Sequence, residues 1–273
     1  MITRHVNAER LVLLGWSRAI LLQLAHPLVA AGIAEHSAFR GGPLAAALRL
    51  RHTVGAMLRL AFGDQAAADG TIAGIRAIHR RVHGHLRHTT GRFPAGHPYS
   101  AEDPALLLWV HATLIESVVL TYDLVVAPLS DAERDRYCEE AAGVAIALGA
   151  RVDEVPRTWR ALRDYLDRMH ASGVLAIGAD ARMVAHAILH PPLRAFTAPV
   201  GWLNRLITVG LLPEAIRAQY GLSWSDRRGW QLGVVVSVLR VMRRALPCGW
   251  VWWWPEARRV HPGVHFRIIP GPS

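Results

Sequence analysis

The sequence contains no lysine, and this absence excludes several enzyme classes before any motif is considered. All 31 of its basic side chains are arginines. Schiff-base and pyridoxal phosphate enzymes need a lysine amine, and P-loop phosphate sites need a lysine next to their glycines. The chain therefore cannot carry out these chemistries.

Cysteine is nearly absent as well. Cys138 and Cys248 are the two cysteines, and neither has a neighbour at metal-ligand spacing. This excludes a disulfide scaffold, a zinc knuckle and a covalent Cys-x-x-Cys-His haem attachment. Low cysteine usage is typical of a reducing compartment, and no signal-peptide layout follows Met1. The sequence predicts a cytoplasmic protein.

Four motifs of common catalytic sites are also missing. The chain has no His-Glu-x-x-His, no Glu-x-x-His, no Gly-x-Ser-x-Gly and no Gly-x-Gly-x-x-Gly. Their absence argues against zincin proteases, ferritin-like di-iron bundles, serine hydrolases and dinucleotide-binding domains. What remains is a histidine-rich chain without a polar nucleophile, which favours a cofactor that brings its own reactivity.

The composition describes a folded protein with a large core. Of its 273 residues 52% are hydrophobic and 19% are charged, and the formal net charge is +10. The arginines are scattered among aliphatic residues instead of forming a stripe or arm, so we expect no nucleic-acid partner. Attraction to an acidic membrane surface explains the charge equally well, and peripheral membrane association is a further expectation.

Helical periodicity dominates the sequence and predicts an all-α fold. No stretch shows sustained alternation of period two. The two most apolar runs, 11–34 and 106–126, contain charged or histidine side chains and are predicted to be buried core helices instead of membrane spans. We expect a break at 191–200 before a shorter C-terminal lobe, and an irregular tail over 251–273. The predicted helices cover 9–34 with a break near Pro27, 44–62, 66 to about 88, 100–126 with Ser100 as cap, 130–149 with a Ser130/Glu133 capping box, 156–169, and further segments between 192 and 247.

One predicted helix carries a distinctive polar face. Arg76, His79, Arg80 and His83 stand at i, i+3, i+4 and i+7. This pattern suits an iron porphyrin, because an imidazole can ligate the iron while arginines pair with the propionates. His79 and His83 alone could instead hold zinc or another divalent ion. The third interpretation is structural, with solvated arginines and a hydrogen-bonded core histidine.

Two further places carry polar groups in apolar surroundings. Glu35 needs a partner there, or else a raised pKa that would make it a proton acceptor. Arg49 and Thr53 lie one helical turn apart, where both can donate hydrogen bonds to bound dioxygen or orient a substrate. A helix cap, an ion pair or core packing is the structural alternative for each of these residues.

Several motifs together resemble the MpaB-like oxygenase family, whose catalytic domain is shared with the rubber-cleaving latex-clearing proteins. The resemblance covers about residues 5–250. The motifs are His26-Pro27-Leu28-Val29 with Glu35-His36-Ser37, Arg49-x-x-x-Thr53, His79-x-x-Val82-x-Gly84, Tyr99-Ser100-Ala101-x-Asp103-Pro104, and Leu108 to Leu114.

This resemblance implies a fold, a cofactor and a reaction. The fold would be a single helical domain over 1–250 with a globin-like core, binding non-covalent haem b. The reaction would be the dioxygen-dependent cleavage of a C=C bond in an apolar, isoprenoid-type substrate, with an unidentified electron donor. A non-catalytic haem-binding or redox-sensing protein is the alternative, and a structural protein at the membrane surface is a third.

The resemblance also implies roles for individual residues. His79 corresponds to the proximal iron ligand, and Arg76 and His83 are expected near the cofactor. Arg49 and Thr53 correspond to the distal pair, with Glu35 in the place of a proposed base. Where latex-clearing proteins carry a lysine just before the threonine, this chain has His52, which is itself able to ligate iron.

Overall fold

The computed structural model describes residues 1–36, 42–190, 194–247, 250 and 252–253, without the side chains of 42–50 and 194–197. It confirms the predicted all-α class, since 72% of the chain is helical. The α-helices are α1 (Ile2–Ala8), α2 (Trp16–Leu24), α3 (Pro27–His36), α4 (Gly42–Phe62), α5 (Gln65–His79), α6 (Pro104–Val125), α7 (Asp131–Leu148), α8 (Trp159–Ala171), α9 (Ala179–Leu189), α10 (Arg194–Leu211), α11 (Glu214–Tyr220) and α12 (Asp226–Ala245), with a 3₁₀ segment at Arg10–Gly15.

Helix α6 runs through the centre of the molecule. It packs against α2, the 3₁₀ segment, α7, α8 and α12. Its N-cap is Asp103, whose carboxylate accepts from Ala105 N at 2.8 Å, and Pro104 occupies the first turn. The prediction that Ser100 caps this helix is therefore wrong by three residues. Asp103 is the cap because the next residue, Pro104, favours the first turn of a helix.

The two apolar runs are core helices, as predicted. Within the described residues, α6 is long and apolar enough to cross a membrane, but 67% of its apolar window is buried inside the protein. The other run bends by 110° where α2 meets α3, at the expected break near Pro27. The polar groups of these helices are held internally. Arg18 on α2, for example, is 2% exposed and ion-paired with Glu116 on α6 at 2.9 Å.

The predicted helix over 66–88 is wrong beyond His79. After α5 the chain enters a two-stranded antiparallel sheet of β1 (His83–His85) and β2 (Pro98–Ser100). Exposed and less exposed residues alternate from Val82 to Leu86, which suits a strand. The spacing of four between Val82 and Leu86 fits helix and strand alike, so pairing with β2 decided the structure.

Other predicted boundaries had mixed outcomes. The Ser130/Glu133 capping box is confirmed, and α7 ends at Gly149, which has a φ of 117°. The helix expected from Pro156 begins later, behind a Thr158 cap. The expected break over 191–200 is wrong from residue 194 onward, because α10 runs through Pro199. One continuous core cluster contains buried residues from both sides of this point.

Candidate functional site

His79 closes α5 with an unused imidazole nitrogen. The side chain is half-buried, and its Nδ1 atom is buried without a hydrogen-bond partner. Desolvation lowers the pKa of His79, against an opposing effect of Glu102, so the imidazole is neutral at pH 7. A neutral imidazole is the form that ligates a metal.

Helices α4 and α5 follow each other in the chain and pack together. A hydrogen bond of 3.2 Å from Arg59 Nε to Thr71 Oγ1 joins the two helices near their connection. Residue 51 lies eight residues before Arg59 on α4, and His79 lies eight residues after Thr71 on α5. His52 and Thr53, both exposed, occupy that same turn of α4. The side chain of Arg49 lies outside the described residues.

The remaining residues of the predicted polar face are less closely grouped. Arg76 is exposed on the last turn of α5, three residues before His79. Arg80 is also exposed and directly follows His79. His83 is exposed on β1 and shares no helical face with His79. His79 and His83 are therefore not an i, i+4 pair on one helix, which the zinc interpretation required. The described residues contain no cluster of three metal-ligating side chains.

Glu35 is held by partners that the sequence analysis did not find. Its Oε1 accepts from Arg87 Nε at 2.6 Å, and its Oε2 accepts from the hydroxyl of Tyr99, which also lies 3.3 Å from His36 Nε2. The hydrogen bond from Tyr99 and the nearby Arg87 lower the pKa of Glu35. Burial and the Glu35 carboxylate raise the pKa of Tyr99. Of the two alternatives for Glu35, the structure therefore shows a paired carboxylate and not one with a raised pKa.

Gly84 leaves the space that the Tyr99–Glu35 pair needs. A Cβ at this position would lie 2.7 Å from Tyr99 Oη and 3.2 Å from Glu35 Oε2. Gly84 and Tyr99 are partners in the small sheet, which directly follows α5. Val82, three residues after His79, packs on Gly32 of α3. The sheet thus connects the His79 end of α5 with the Glu35 end of α3. In the sequence, Gly84 and Tyr99 of the family motifs were the residues that could have indicated this connection.

Two further histidines are neutral inside the protein. Burial lowers the pKa of His26 and of His111 to about 4. His26 accepts from Leu28 N at 3.3 Å, and its ring lies 5.5 Å from the ring of Phe93. His111 is on α6, in a stretch that belongs to the motifs described above. The sequence analysis gave neither histidine a role.

A narrow apolar crevice with a volume of about 20 Å³ adjoins α4. Val54, the residue after Thr53, lies in its wall, and Trp253 covers it from the C-terminal segment. The backbone N–H of Trp253 donates to Ala8 O at 3.0 Å, and the guanidinium of Arg10 lies over the Trp253 ring. The remaining lining is formed by Asn7, Val12, Leu13, Trp16, Met57, Leu58, Ala61 and Phe62.

Comparison with known proteins assigns this arrangement to a family. The family model described as "ER-bound oxygenase mpaB/B'/Rubber oxygenase, catalytic domain" matches residues 3–245. The chain belongs to this family. The resemblance seen in the sequence is confirmed, and the domain is an oxygenase domain, which takes dioxygen and a substrate.

Two curated relatives are similar over most of the chain. The uncharacterized proteins Mb2261 of Mycobacterium bovis and Rv2237 of Mycobacterium tuberculosis are each 28% identical over 237 residues, which cover 84% of this chain and 87% of theirs. No solved structure matches the chain significantly. The globin-like core expected from the sequence stays a prediction.

Proposed function

We propose that the protein is a haem b-dependent oxygenase that cleaves a C=C bond of an apolar, isoprenoid-type substrate with dioxygen. The family supplies the oxygenase class. The observation that carries the haem is His79, whose buried Nδ1 has no partner and whose imidazole is neutral. A porphyrin iron needs only one such protein ligand, so a cluster of metal-ligating side chains is not required.

The end of α5 supplies both kinds of group that hold a porphyrin. In this proposal the His79 imidazole ligates the iron. Arg76, exposed one turn earlier, pairs with a propionate, for which its planar guanidinium is suited. The bound haem supplies the redox chemistry that activates dioxygen. His83 has no role in this arrangement, because it lies on β1 and not on α5 with His79.

Helix α4 supplies hydrogen-bond donors. We propose that Thr53 and Arg49 of α4 donate hydrogen bonds to dioxygen or orient the substrate. Glu35 is ionised and bound to Tyr99, so it would accept a proton through the Tyr99 hydroxyl instead of directly from the substrate. The apolar, isoprenoid-type substrate class is proposed from the family, whose description names a rubber oxygenase.

Replacing His79 tests the proposal. We expect the purified wild type to show a Soret band and His79→Ala to lose it. His83→Ala is the matched control, since it removes an exposed histidine four residues away and is expected to keep the band. Full haem content in His79→Ala would contradict the ligand assignment, and a colourless wild type would contradict haem altogether.

A second candidate is a non-catalytic haem protein or redox sensor, and His52 is the observation that favours it. His52 lies on α4, which packs against α5, and a second imidazole ligand would leave the iron no open position. Carbon monoxide added to the dithionite-reduced protein separates the two. A shifted Soret band and dioxygen consumption with an isoprenoid alkene support the oxygenase, and no change in either supports the sensor.

A further inference from the structure

Helix α12 carries large apolar side chains on its solvent-exposed side. Trp230, Val234 and Val241 are 70%, 43% and 65% exposed, and Val238 and Met242 are exposed beside them. Spacings of three and four residues place these side chains on one stripe of the helix, which we call the outer stripe. The stripe follows the helix along almost its whole length.

Two arginines of the same helix turn inward. Arg240 donates to two backbone carbonyls at the end of α6, at 2.8 and 3.1 Å, and Arg243 is ion-paired with the fully buried Glu9. Leu232, Val236 and Leu239 pack on the core, so the helix is apolar on a second side as well. No described residue covers the outer stripe, and a contiguous exposed apolar patch of this kind marks an interaction surface.

Exposed tryptophans lie near both ends of α12. Trp202 of α10 is 50% exposed and Trp250, five residues after the end of α12, is 72% exposed. Trp202 shares a pocket of about 190 Å³ between α10 and α12 with Arg205 and Arg228. Indole rings favour the boundary between water and lipid, and guanidinium groups bind phosphate.

The charge of this region selects an acidic partner. Residues 201–250 contain seven arginines against two acids, Glu214 and Asp226, in a chain with a net charge of +10. Arg227 and Arg244 stand exposed at the two ends of α12. Arginines close to an anionic bilayer strengthen binding through attraction to the lipid headgroups.

The same charge disfavours the two protein occupants available from this chain. In a two-fold pairing of α12 with a second copy, Arg227 of one copy would lie beside Arg244 of the other. The segment after Trp253 carries Arg258, Arg259 and Arg267 against Glu256, so its charge also has the same sign. Neither partner complements the arginines at the two ends of α12.

We propose that the outer stripe of α12 binds the surface of a membrane that contains anionic lipids. The helix would lie in the plane of the interface, with the valines and Trp230 among the acyl chains and Arg227 and Arg244 at the lipid phosphates. The chain is bound peripherally, and α6 stays in the protein core. This inference does not depend on the haem or on the reaction.

Vesicle binding by the purified full chain tests it. We compare co-sedimentation with phosphatidylcholine vesicles that contain or lack phosphatidylserine. The wild type is expected to bind the anionic vesicles and to bind less at high salt. Val234→Ser with Val241→Ser is expected to raise the dissociation constant at least tenfold, because two apolar side chains lose their burial. Arg227→Gln with Arg244→Gln is expected to abolish the preference for phosphatidylserine.

The matched control is Val152→Ser with Met183→Ser, which removes two apolar side chains that are equally exposed elsewhere. It should bind like the wild type, and circular dichroism checks that each variant is folded. Absence of wild-type binding overturns the proposal, as does unchanged binding of the valine variant. If the wild type is a dimer that the valine variant dissociates, while vesicle binding is absent, the outer stripe is a protein interface instead.

Discussion

His26 shows how a buried neutral side chain makes stability depend on pH. Its pKa is about 4 in the folded protein and 6.5 when unperturbed, because burial disfavours the charged imidazole. Between these values the unfolded chain binds a proton that the folded protein does not. Stability therefore rises with pH through this window, and His26 alone removes about 2 kcal/mol between pH 7 and pH 5.

His26→Gln is expected to reduce this pH dependence. The amide does not titrate, so the change in unfolding free energy between pH 7 and pH 5, measured in urea, becomes smaller by about 2 kcal/mol. It does not vanish, because burial also lowers the pKa of His111 to about 4. His88→Gln, at an exposed histidine, is the control and should leave the slope unchanged. An unaltered slope in His26→Gln would show that another group dominates.

Individual residues were predictable where their chemistry is local. His79 could be singled out because a histidine flanked by arginines at helical spacing is unusual. Arg87 could not be named as the partner of Glu35, because the two residues are 52 positions apart and the small sheet brings them together. Long-range pairing of this kind depends on packing that one sequence does not reveal.

At the scale of single elements, the start of α7 offers the clearest test. Ser130 Oγ accepts from Glu133 N, and the Glu133 carboxylate accepts from Ser130 N at 2.8 Å. Ser130→Ala removes the acceptor of the Glu133 backbone N–H and the bond from Ser130 Oγ to the Glu133 carboxylate. It is expected to destabilise the protein by about 1 kcal/mol, measured as a lower urea midpoint.

Ser237→Ala is the matched control for this substitution. The Ser237 hydroxyl donates to Gly233 O within α12, a bond that contributes little to a helix already formed. It should leave the midpoint nearly unchanged. Equal effects of the two substitutions would mean that the capping box adds no stability of its own.

The boundaries of α7 were predictable, whereas the caps of α6 and α8 were placed too early and the end of α5 was missed. Ser130 and Gly149 bound α7 as expected, because cap residues and a left-handed glycine have specific local geometry. The end of α5 at His79 had no comparable signal. There the chain continues into a strand whose partner, β2, lies beyond a loop of twelve residues, 86–97.

At the scale of the whole molecule, the C-terminal segment is joined to the N-terminal one through Glu9. This carboxylate is fully buried; its Oε1 accepts from Trp252 Nε1 at 2.7 Å and from Arg243, while its Oε2 has no partner. Glu9→Ala is expected to cost about 3 kcal/mol of unfolding free energy, because it leaves a guanidinium and an indole N–H with a lost acceptor.

Glu154→Ala is the comparison for that variant. Glu154 pairs with Arg151 at 2.9 Å on the surface, where both side chains are exposed, and the change should cost less than about 1 kcal/mol. Urea unfolding of both variants measures the difference. A loss as small for Glu9→Ala as for Glu154→Ala would show that the two chain ends are not energetically coupled.

The central position of α6 has a consequence for the nascent chain. While it is being synthesised, this stretch of 22 residues has the length and composition of a membrane-spanning helix. The earlier α2 and 3₁₀ segment cover one part of its surface, and the rest is covered only when α7, α8 and α12 have been translated. A product terminated near residue 130 is thus expected to enter bilayers or aggregate instead of persisting as a small soluble fragment.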